Sequence, residues 1–475
     1  MTDLRRRLPW LVAVSLFMEN LDATVVNTAT PTMAASLGIE PLNLKGVLTS
    51  YTLALAVFIP ISGWAADRFG TKRLFTSAVL LFTCGSVLCG FAVSLPMLVV
   101  SRLLQGMGGA MMTPVGRLAL VRSFPRAEMI TVLNYVVIPA LIGPLLGPFV
   151  GGVIVHWVHW RAIFFINLPL GLLGLWLARR YMPDYREADT PPLDWSGFVL
   201  FGTGVLLLSY VLEVLGNHSL PLTLAFELFA IACVLLGAYG WHAMRVPAPL
   251  LALRLLRIRT FRVSVLGGFV TRLGVGGMPF LLPLLYQVGL GYLPWQAGLL
   301  TMPQAASAIG MKFVGKPLLE RYGHRAVLRV NTVMMGACIA TFALVGPGTP
   351  VYAIVGLSLL QGLASSTQFT SMNSLVYADV SDAEASRAGS IASTAQQLAL
   401  SFGVALGSVT AQWFLAGVPE SNRPAFMTAL HHGFLVLGAL TVASSLSFHG
   451  LQPADGSNVS QHRPPIQPLA EKPAM

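Results

Sequence analysis

The sequence predicts an all-α integral membrane protein. About fourteen transmembrane helices form two six-helix bundles related by a parallel repeat, with two inserted helices between them. Three observations carry that prediction: the chain is strongly apolar, its basic residues alternate between the two sides of a membrane, and two short motifs recur at nearly the same separation. Of 475 residues, 55% are hydrophobic and only 10% are charged, against about 25% charged in a soluble domain. Mean hydropathy is +0.70.

Apolar runs of about 20 residues, long enough to cross a bilayer, are centred near residues 20, 56, 84, 108, 143, 172, 205, 233, 275, 306, 336, 363, 404 and 439. The first, "MTDLRRRLPWLVAVSLF", has the basic start and apolar run of a signal peptide. No small-x-small cleavage site ends it before Asp22, so it reads as an uncleaved first span. The longest polar breaks are "MPDYREADTPPLDW", the basic "MRVPAPLLALRLLRIRTFR" and a Pro-rich end after Gly450. They divide the chain into an N-terminal six-helix bundle at 1–182, two inserted helices at 183–250, a C-terminal six-helix bundle at 251–449 and a disordered cytoplasmic tail at 450–475. Cys84, Cys89, Cys233 and Cys338 lie inside apolar runs without metal-like spacing and read as small core residues.

The basic residues test the span count. With the N-terminus inside and the sides alternating, inner loops and tails hold 22 of the 30 Lys and Arg residues. Outer loops hold only Lys45, Arg161 and Arg423, and five lie within spans. This is the positive-inside skew, and it places both termini in the cytoplasm. The net charge of +11 therefore reports on the lipid bilayer as partner, and no nucleic acid is expected.

The repeat fixes the architecture. Asp67-Arg68-Phe69-Gly70-Thr71-Lys72 returns 253 residues later as Glu320-Arg321-Tyr322-Gly323-His324-Arg325, and Leu103-Leu104-Gln105-Gly106 returns 256 residues later as Leu359-Leu360-Gln361-Gly362. Parallel repeats of this kind build transporters with the substrate site between the halves near the midplane.

These residues resemble the major facilitator superfamily. "GWAADRFGTKR", Gly63 to Arg73, resembles its signature loop, in which an acid, bases and a tight glycine turn latch the cytoplasmic side; Gly63, Asp67, Arg68, Gly70, Lys72 and Arg73 take those places, with Glu320 and Arg321 in the second copy. "RLLQGMGGA" resembles the fourth-helix motif. "GPLLGPFVGG" resembles the fifth-helix motif of antiporters, through Gly143, Pro144, Gly147, Pro148, Gly151 and Gly152. "LDATVVNTATP" and "WRAIFFINLPLG" are similar to motifs of the fourteen-helix drug:proton antiporters, and "GRLALV" with Ser371-Met372-Asn373-Ser374-Leu375 is most similar to the MdtD-type multidrug exporters. The resemblance implies a multi-pass protein of the bacterial inner membrane that exports small amphipathic compounds by alternating access, in exchange for protons, as a monomer.

Each motif also has a physical reading. Gly143, Gly147 and Gly151 lie four apart, on one helix face, and let a neighbouring helix approach closely. Pro144 and Pro148 remove backbone hydrogen bonds and bend the helix. Ordinary tight packing is the alternative. For the Asp67 loop the alternative is a solvated turn, against which its repetition argues. "GMKFVGKP", Gly310 to Pro317, nearly spells a phosphate-binding loop but lacks the final Ser or Thr and a preceding strand. No ATP, other cofactor or metal is expected, so active transport must draw on an ion gradient.

Charges at the bilayer centre cost about 2.5–3.5 kcal/mol each on insertion scales, so they tend to face a cavity and act there. At about 1.5 Å per residue, Glu19 lies roughly 17 Å, Asp22 roughly 21 Å and Arg102 roughly 21 Å from the inner face. Asp22 and Arg102 thus match in depth. An acid beside a fixed cation is a proton switch, and the resemblance implies the same roles; a static salt bridge is the alternative. Glu19, on the face of Asp22, has three open readings: it binds a cationic substrate, carries a second proton, or hydrogen-bonds a neighbour. Arg117, Lys312 and Lys316 lie near the inner boundary, where long side chains snorkel. Arg272 lies near the midplane.

Asn27, Tyr51, Asn134, Tyr135, Gln368, Asn373 and Gln396, with Glu19 and Arg272, form the expected lining of a substrate cavity. Export of organic anions, such as carboxylates or their metal chelates, is the alternative that Arg272 raises. A membrane-embedded enzyme or a non-transporting receptor is the more distant one, and nine histidines placed in loops, helix ends or the tail offer no buried catalytic set.

Overall fold

The computed structural model describes residues 2–125, 128–217, 221–381, 384–415 and 417–462. Among them there is no β-strand. Each expected span centre falls in a helix. These are α1 (Thr2–Leu37), α2 (Lys45–Phe69), α3 (Thr71–Gly90), α4 (Leu95–Ser123), α5 (Met129–Trp157), α6 (Asn167–Tyr181, preceded by the turn Ala162–Phe165), α7 (Trp195–Asn217) and α8 (Leu222–Ala243). After them α9 (Arg259–Gly289) is one irregular helical span, with π turns at Val263–Gly267 and Leu285–Gly289. The stretch Pro294–Thr341 breaks at Gly323, where φ is +71°, giving α10 (294–322) and α11 (324–341). The last three are α12 (Val351–Val376), α13 (Ala385–Leu415) and α14 (Arg423–Ser444). Eleven helical stretches among the described residues are long and apolar enough to cross a membrane.

Local chemistry sets the helix ends. Ser94 caps α4, its hydroxyl accepting from Met97 N, and Asn422 caps α14, accepting from Ala425 N; each cap is followed by proline in the first turn, where a missing N–H costs nothing. Gly70 ends α2 at φ +92°, a conformation that side chains with a Cβ rarely adopt.

Leu11, Val12, Phe75, Phe82 and Met112 form one apolar core among α1, α3 and α4. Met278, Phe280, Phe342, Phe426 and Phe434 form another among α9, α14 and the end of α11. The inserted helices are not peripheral. Phe201 and Val205 of α7 and Tyr239 of α8 share a core with Val57 of α2 and Leu398 of α13.

We call the end that carries the chain start and the α2–α3 connection proximal, and the opposite end distal. Hydrogen bonds join the two bundles toward the distal end. Ser408 Oγ donates to Leu42 O at 2.9 Å, Ser401 Oγ to Thr49 O at 3.3 Å and Gln287 Nε2 to Thr28 O at 2.8 Å. On the other flank α5 and α10 meet backbone to backbone, since a Cβ on Gly152 would strike Pro294 and one on Gly298 would strike Pro148. Toward the proximal end several residues of the same helices are exposed. Tyr135, Ile138 and Val314 are 61%, 60% and 55% exposed, and a Cβ on Gly310 would meet nothing within 4 Å.

Three expectations need correction. The tail from residue 450 is not disordered through His462. Leu451 is buried, Asp455 pairs with Arg259 at 3.0 and 2.5 Å, Asn458 donates to the Ala378 carbonyl, and His462 Nδ1 lies 2.8 Å from the Glu320 carbonyl. Polar composition suggested solvation, whereas Asp455, Asn458 and His462 have found partners; residues 463–475 lie outside the described set. Lys45, assigned to an outer loop, is fully buried at the start of α2, where the second bundle covers it. Cys84 and Cys233 face outward; only Cys89 and Cys338 are buried.

Candidate functional site

Asp22, in the middle of α1, and Arg102, two turns into α4, meet at 2.6 Å with side chains 1% and 2% exposed. The carboxylate has further donors. Gln105 Nε2 reaches Oδ1 at 2.9 Å, and Asn167 Nδ2 reaches the same oxygen at 2.7 Å. Arg102 also donates to Gln105 Oε1 at 2.8 Å and to the Val47 carbonyl at 3.3 Å, and its guanidinium lies 4.3 Å from the Tyr51 ring centroid. Behind Asn167, Ser86 accepts at 2.9 Å and donates to the Phe164 carbonyl at 2.8 Å.

Residues of α4 and α6 thus hold the carboxylate of α1, and α2 and α3 hold those residues in turn. In so dry a place the charges persist because each is paired and hydrogen-bonded. Loss of either partner, or a proton on Asp22, breaks that balance. The sequence reading gave no role to Gln105 and Asn167. Their signal was available: a polar side chain one turn from Arg102, and an asparagine in an otherwise apolar stretch.

The other expected residues separate by position. Glu19 is half-buried and accepts from the Thr113 hydroxyl of α4. Asn27 is half-buried, its Oδ1 without a protein partner. Arg272 is 4% exposed; it donates to Asn373 Oδ1 at 3.2 Å, lies over the Phe369 ring at 5.2 Å and leaves Nε unpartnered. Among the described residues it forms no ion pair. Asn373 is exposed and Gln396 half-buried.

Two cavity assignments change. Tyr51 is 2% exposed and forms the floor under Arg102. Gln368 is fully buried, held between Asn331 at 2.9 Å and Thr332 at 2.7 Å inside the second bundle. Tyr135 stands exposed on the flank of α5, and the Asn134 side chain lies outside the described set.

At the proximal end Asp67 pairs with Arg122 of α4 at 3.0 Å, and Arg122 pairs with Glu187 at 2.9 Å. The segment after α6 docks onto this loop. Glu187 N donates to the Asp67 carbonyl, Thr71 N to the Tyr185 carbonyl, and Lys72 N to Asp184 Oδ1. A Cβ on Gly70 would overlap the Asp184 carboxylate. Gly63, Arg68 and Arg73 are exposed. The second copy keeps the glycine geometry at Gly323 but not the charge pairing: among the described residues Glu320 pairs with Lys316 of its own helix, at 3.6 Å. Arg321 is exposed over the Tyr322 ring.

The fifth-helix glycines bind two partners. Gly143, Gly147 and Gly151 face α1, where added Cβ atoms would come within 2.9 Å of Leu21 N, strike Thr24, and come within 2.6 Å of the Val25 carbonyl. Gly152 faces α10 of the second bundle. Helix α5 therefore connects the helix that carries Asp22 to the opposite half.

Comparison with known proteins agrees with this architecture. The family model described as Major Facilitator Superfamily matches residues 12–404 and, in a second match, 265–471. The chain is 37% identical over 446 residues to "Putative multidrug resistance protein MdtD" of Serratia proteamaculans, covering 94% of this chain and 93% of the relative. It is 38% identical to the protein of the same description from Pectobacterium atrosepticum, covering 94% and 95%. Among solved structures, a bacterial homologue of the human lysosomal transporter Spinster, inward-facing and unoccupied, superposes with a TM-score of 0.68 at 14% identity, covering 98% of this chain and 99% of that one. The nucleoside transporter NupG superposes with a TM-score of 0.65 at 14% identity, covering 94% and 99%. These two structures share the fold.

Proposed function

Because this chain belongs to the major facilitator superfamily, and so is a multi-pass membrane transporter of small molecules rather than an enzyme, we propose that it is a proton-coupled exporter of small amphipathic organic compounds. It works by alternating access in the bacterial inner membrane, with both termini and the proximal end in the cytoplasm, as a monomer. The observation that carries this reading is the buried Asp22–Arg102 pair at 2.6 Å, a titratable acid held by a fixed cation in a closed bundle.

The cycle follows from that pair. With the proximal end parted, substrate enters between the halves from the cytoplasm. Ionised Asp22 is held by Arg102, Gln105 and Asn167. Opening the distal end releases the substrate and admits a proton to Asp22. The neutral carboxyl loosens its hold on Arg102, and the halves rock back to deliver the proton inside. Glu19, whose only described partner is a hydroxyl, is placed to meet a cationic substrate or a second proton. The repeat supports two bundles at 1–182 and 251–449, with the pair at 183–250 lying along their seam.

The relatives' description, multidrug resistance, favours drugs as cargo. A second reading has its own observation: Arg272 is buried near the midplane with no carboxylate partner among the described residues, which favours organic anions, carboxylates or their metal chelates. Proteoliposomes with an imposed pH gradient and a panel of cationic, neutral and anionic compounds test both readings. Export of any compound that persists when the gradient is collapsed refutes proton coupling.

A further inference from the structure

The closed distal end contains a charged cluster that the transport cycle above does not use. Glu420 lies in the connection between α13 and α14 and is 6% exposed. Its Oε2 accepts from Leu42 N at 3.2 Å, at the entrance to α2 in the other bundle. Beside it Lys45, fully buried, donates to Gln412 Oε1 at 3.3 Å, and Gln412 Nε2 donates to Asn43 Oδ1 at 3.0 Å. These contacts, with the Ser408–Leu42 bond, seal α2 to α13.

We propose that Glu420 is a proton-binding residue of the distal gate, which takes its proton from the compartment at that end and, once neutral, holds the gate closed. The proposal takes its place in the cycle from the antiport reading, but the behaviour of the gate stands independently of it.

Among the described residues, two charged groups act on Glu420. Glu40 comes from the α1–α2 connection and Lys45 from α2. Glu213 of the inserted helix α7 faces Lys45 in turn, with its Oε1 3.5 Å from where a Cβ on Gly46 would stand. Arg423 turns away toward Gly291. Burial raises the Glu420 pKa to about 7; the Leu42 N–H opposes that, Glu40 adds to it, and Lys45 opposes it.

The sign follows by linkage. In an open gate water reaches the carboxyl, which returns to the ordinary glutamate value of about 4.3. The closed gate therefore binds a proton more readily than the open one. Closure gains its full stabilisation below the ordinary value and loses it as pH rises through about 7. A proton from the distal compartment thus favours the return stroke, the step at which an antiporter must close that end.

The test uses the full-length protein in detergent, with the four native cysteines changed to alanine. Ser408→Cys, at a position fully buried in the seam, reports opening by maleimide labelling. Val93→Cys, at a position 77% exposed on the same end, normalises for thiol reactivity. Normalised labelling at position 408 should rise roughly thirtyfold between about pH 5.5 and 8.5. With Glu420→Gln, which mimics the neutral carboxyl, it should stay at the low acid value throughout. A flat profile in the parent, or an undiminished rise in Glu420→Gln, overturns the proposal. Misfolding would raise labelling in Glu420→Gln, so a low flat profile cannot arise from it. No substrate or gradient is present, so failure of antiport in proteoliposomes and failure of this gate are read separately.

Discussion

Asn167 Nδ2 donates at once to Asp22 Oδ1, at 2.7 Å, and to Ser86 Oγ, at 2.9 Å. One amide therefore ties the acid of α1 to α3 through α6. Replacing it by alanine leaves the carboxylate and a buried hydroxyl each short of a partner. Asn167→Ala should cost about 1.5–3 kcal/mol, the range for a hydrogen bond to a charged group. Thermal unfolding in detergent reads that cost; an unchanged midpoint would mean that water replaces the amide.

Asp22→Asn should reduce uphill export to background in proteoliposomes while substrate binding changes by no more than about twofold. The variant keeps the size of the side chain and removes its proton. Asp22→Glu, which still titrates, should retain part of the coupling. Full concentrative export by the asparagine variant would eliminate Asp22 as the proton carrier.

The proximal loop gives a second pair of variants. Asp67→Asn removes one carboxylate from Arg122, and Gly70→Val places a β-branched residue at φ +92° against Asp184. Each should lower turnover at least about tenfold at unchanged membrane abundance, since positive φ in such a residue costs on the order of 1–3 kcal/mol. Normal transport by both would leave the loop a mere connector.

Glu19 and Arg272 sit in opposite bundles and do not pair with each other. In low dielectric an unmatched charge favours a substrate of opposite sign. If cations are the cargo, Glu19→Gln should weaken their export several-fold while Arg272→Ala leaves it intact. If anions are the cargo, Arg272→Ala should be the damaging change. Equal loss for every compound in both variants would remove substrate charge reading from either residue.

The docked tail predicts a stability effect. Asp455→Asn weakens a two-point contact with Arg259; the pair is partly exposed, so the expected cost is about 1 kcal/mol. The thermal midpoint should fall by about 1 °C. If it does not, the segment rests on Leu451 and Asn458 rather than on the ion pair.

What the sequence revealed and what it hid divide along a physical line. Depth in the membrane is one coordinate, obtained by counting residues, and it brought Asp22 and Arg102 to the same level before any fold was known. Rotation about a helix axis is a second coordinate, and it depends on which neighbours pack. Gln368 has suitable depth but turns into its own bundle; Asn167 has the rotation that reaches Asp22, and no count could show it. Lys45 reads as a loop residue because Pro41–Leu44 forms only a short turn before α2, while the cover over it comes from α13, more than 350 residues away. The tail was misread for the same reason, since its partners, Arg259, Ala378 and Glu320, are distant in the chain.

The two flanks of the distal closure are made of unlike materials. Between α5 and α10 it is glycine against backbone carbonyl, without formal charge. Between α2 and α13 it includes Lys45 and Glu420. A membrane voltage exerts force on charges, about 2.3 kcal/mol per elementary charge moved through 100 mV, and leaves a neutral glycine contact almost untouched. The α2–α13 flank should therefore feel the electrical half of the protonmotive force, while the α5–α10 flank serves as a passive fulcrum governed by side-chain volume. Opening would then be lopsided, like a door swinging on one jamb, with the voltage pushing on the side away from the hinge.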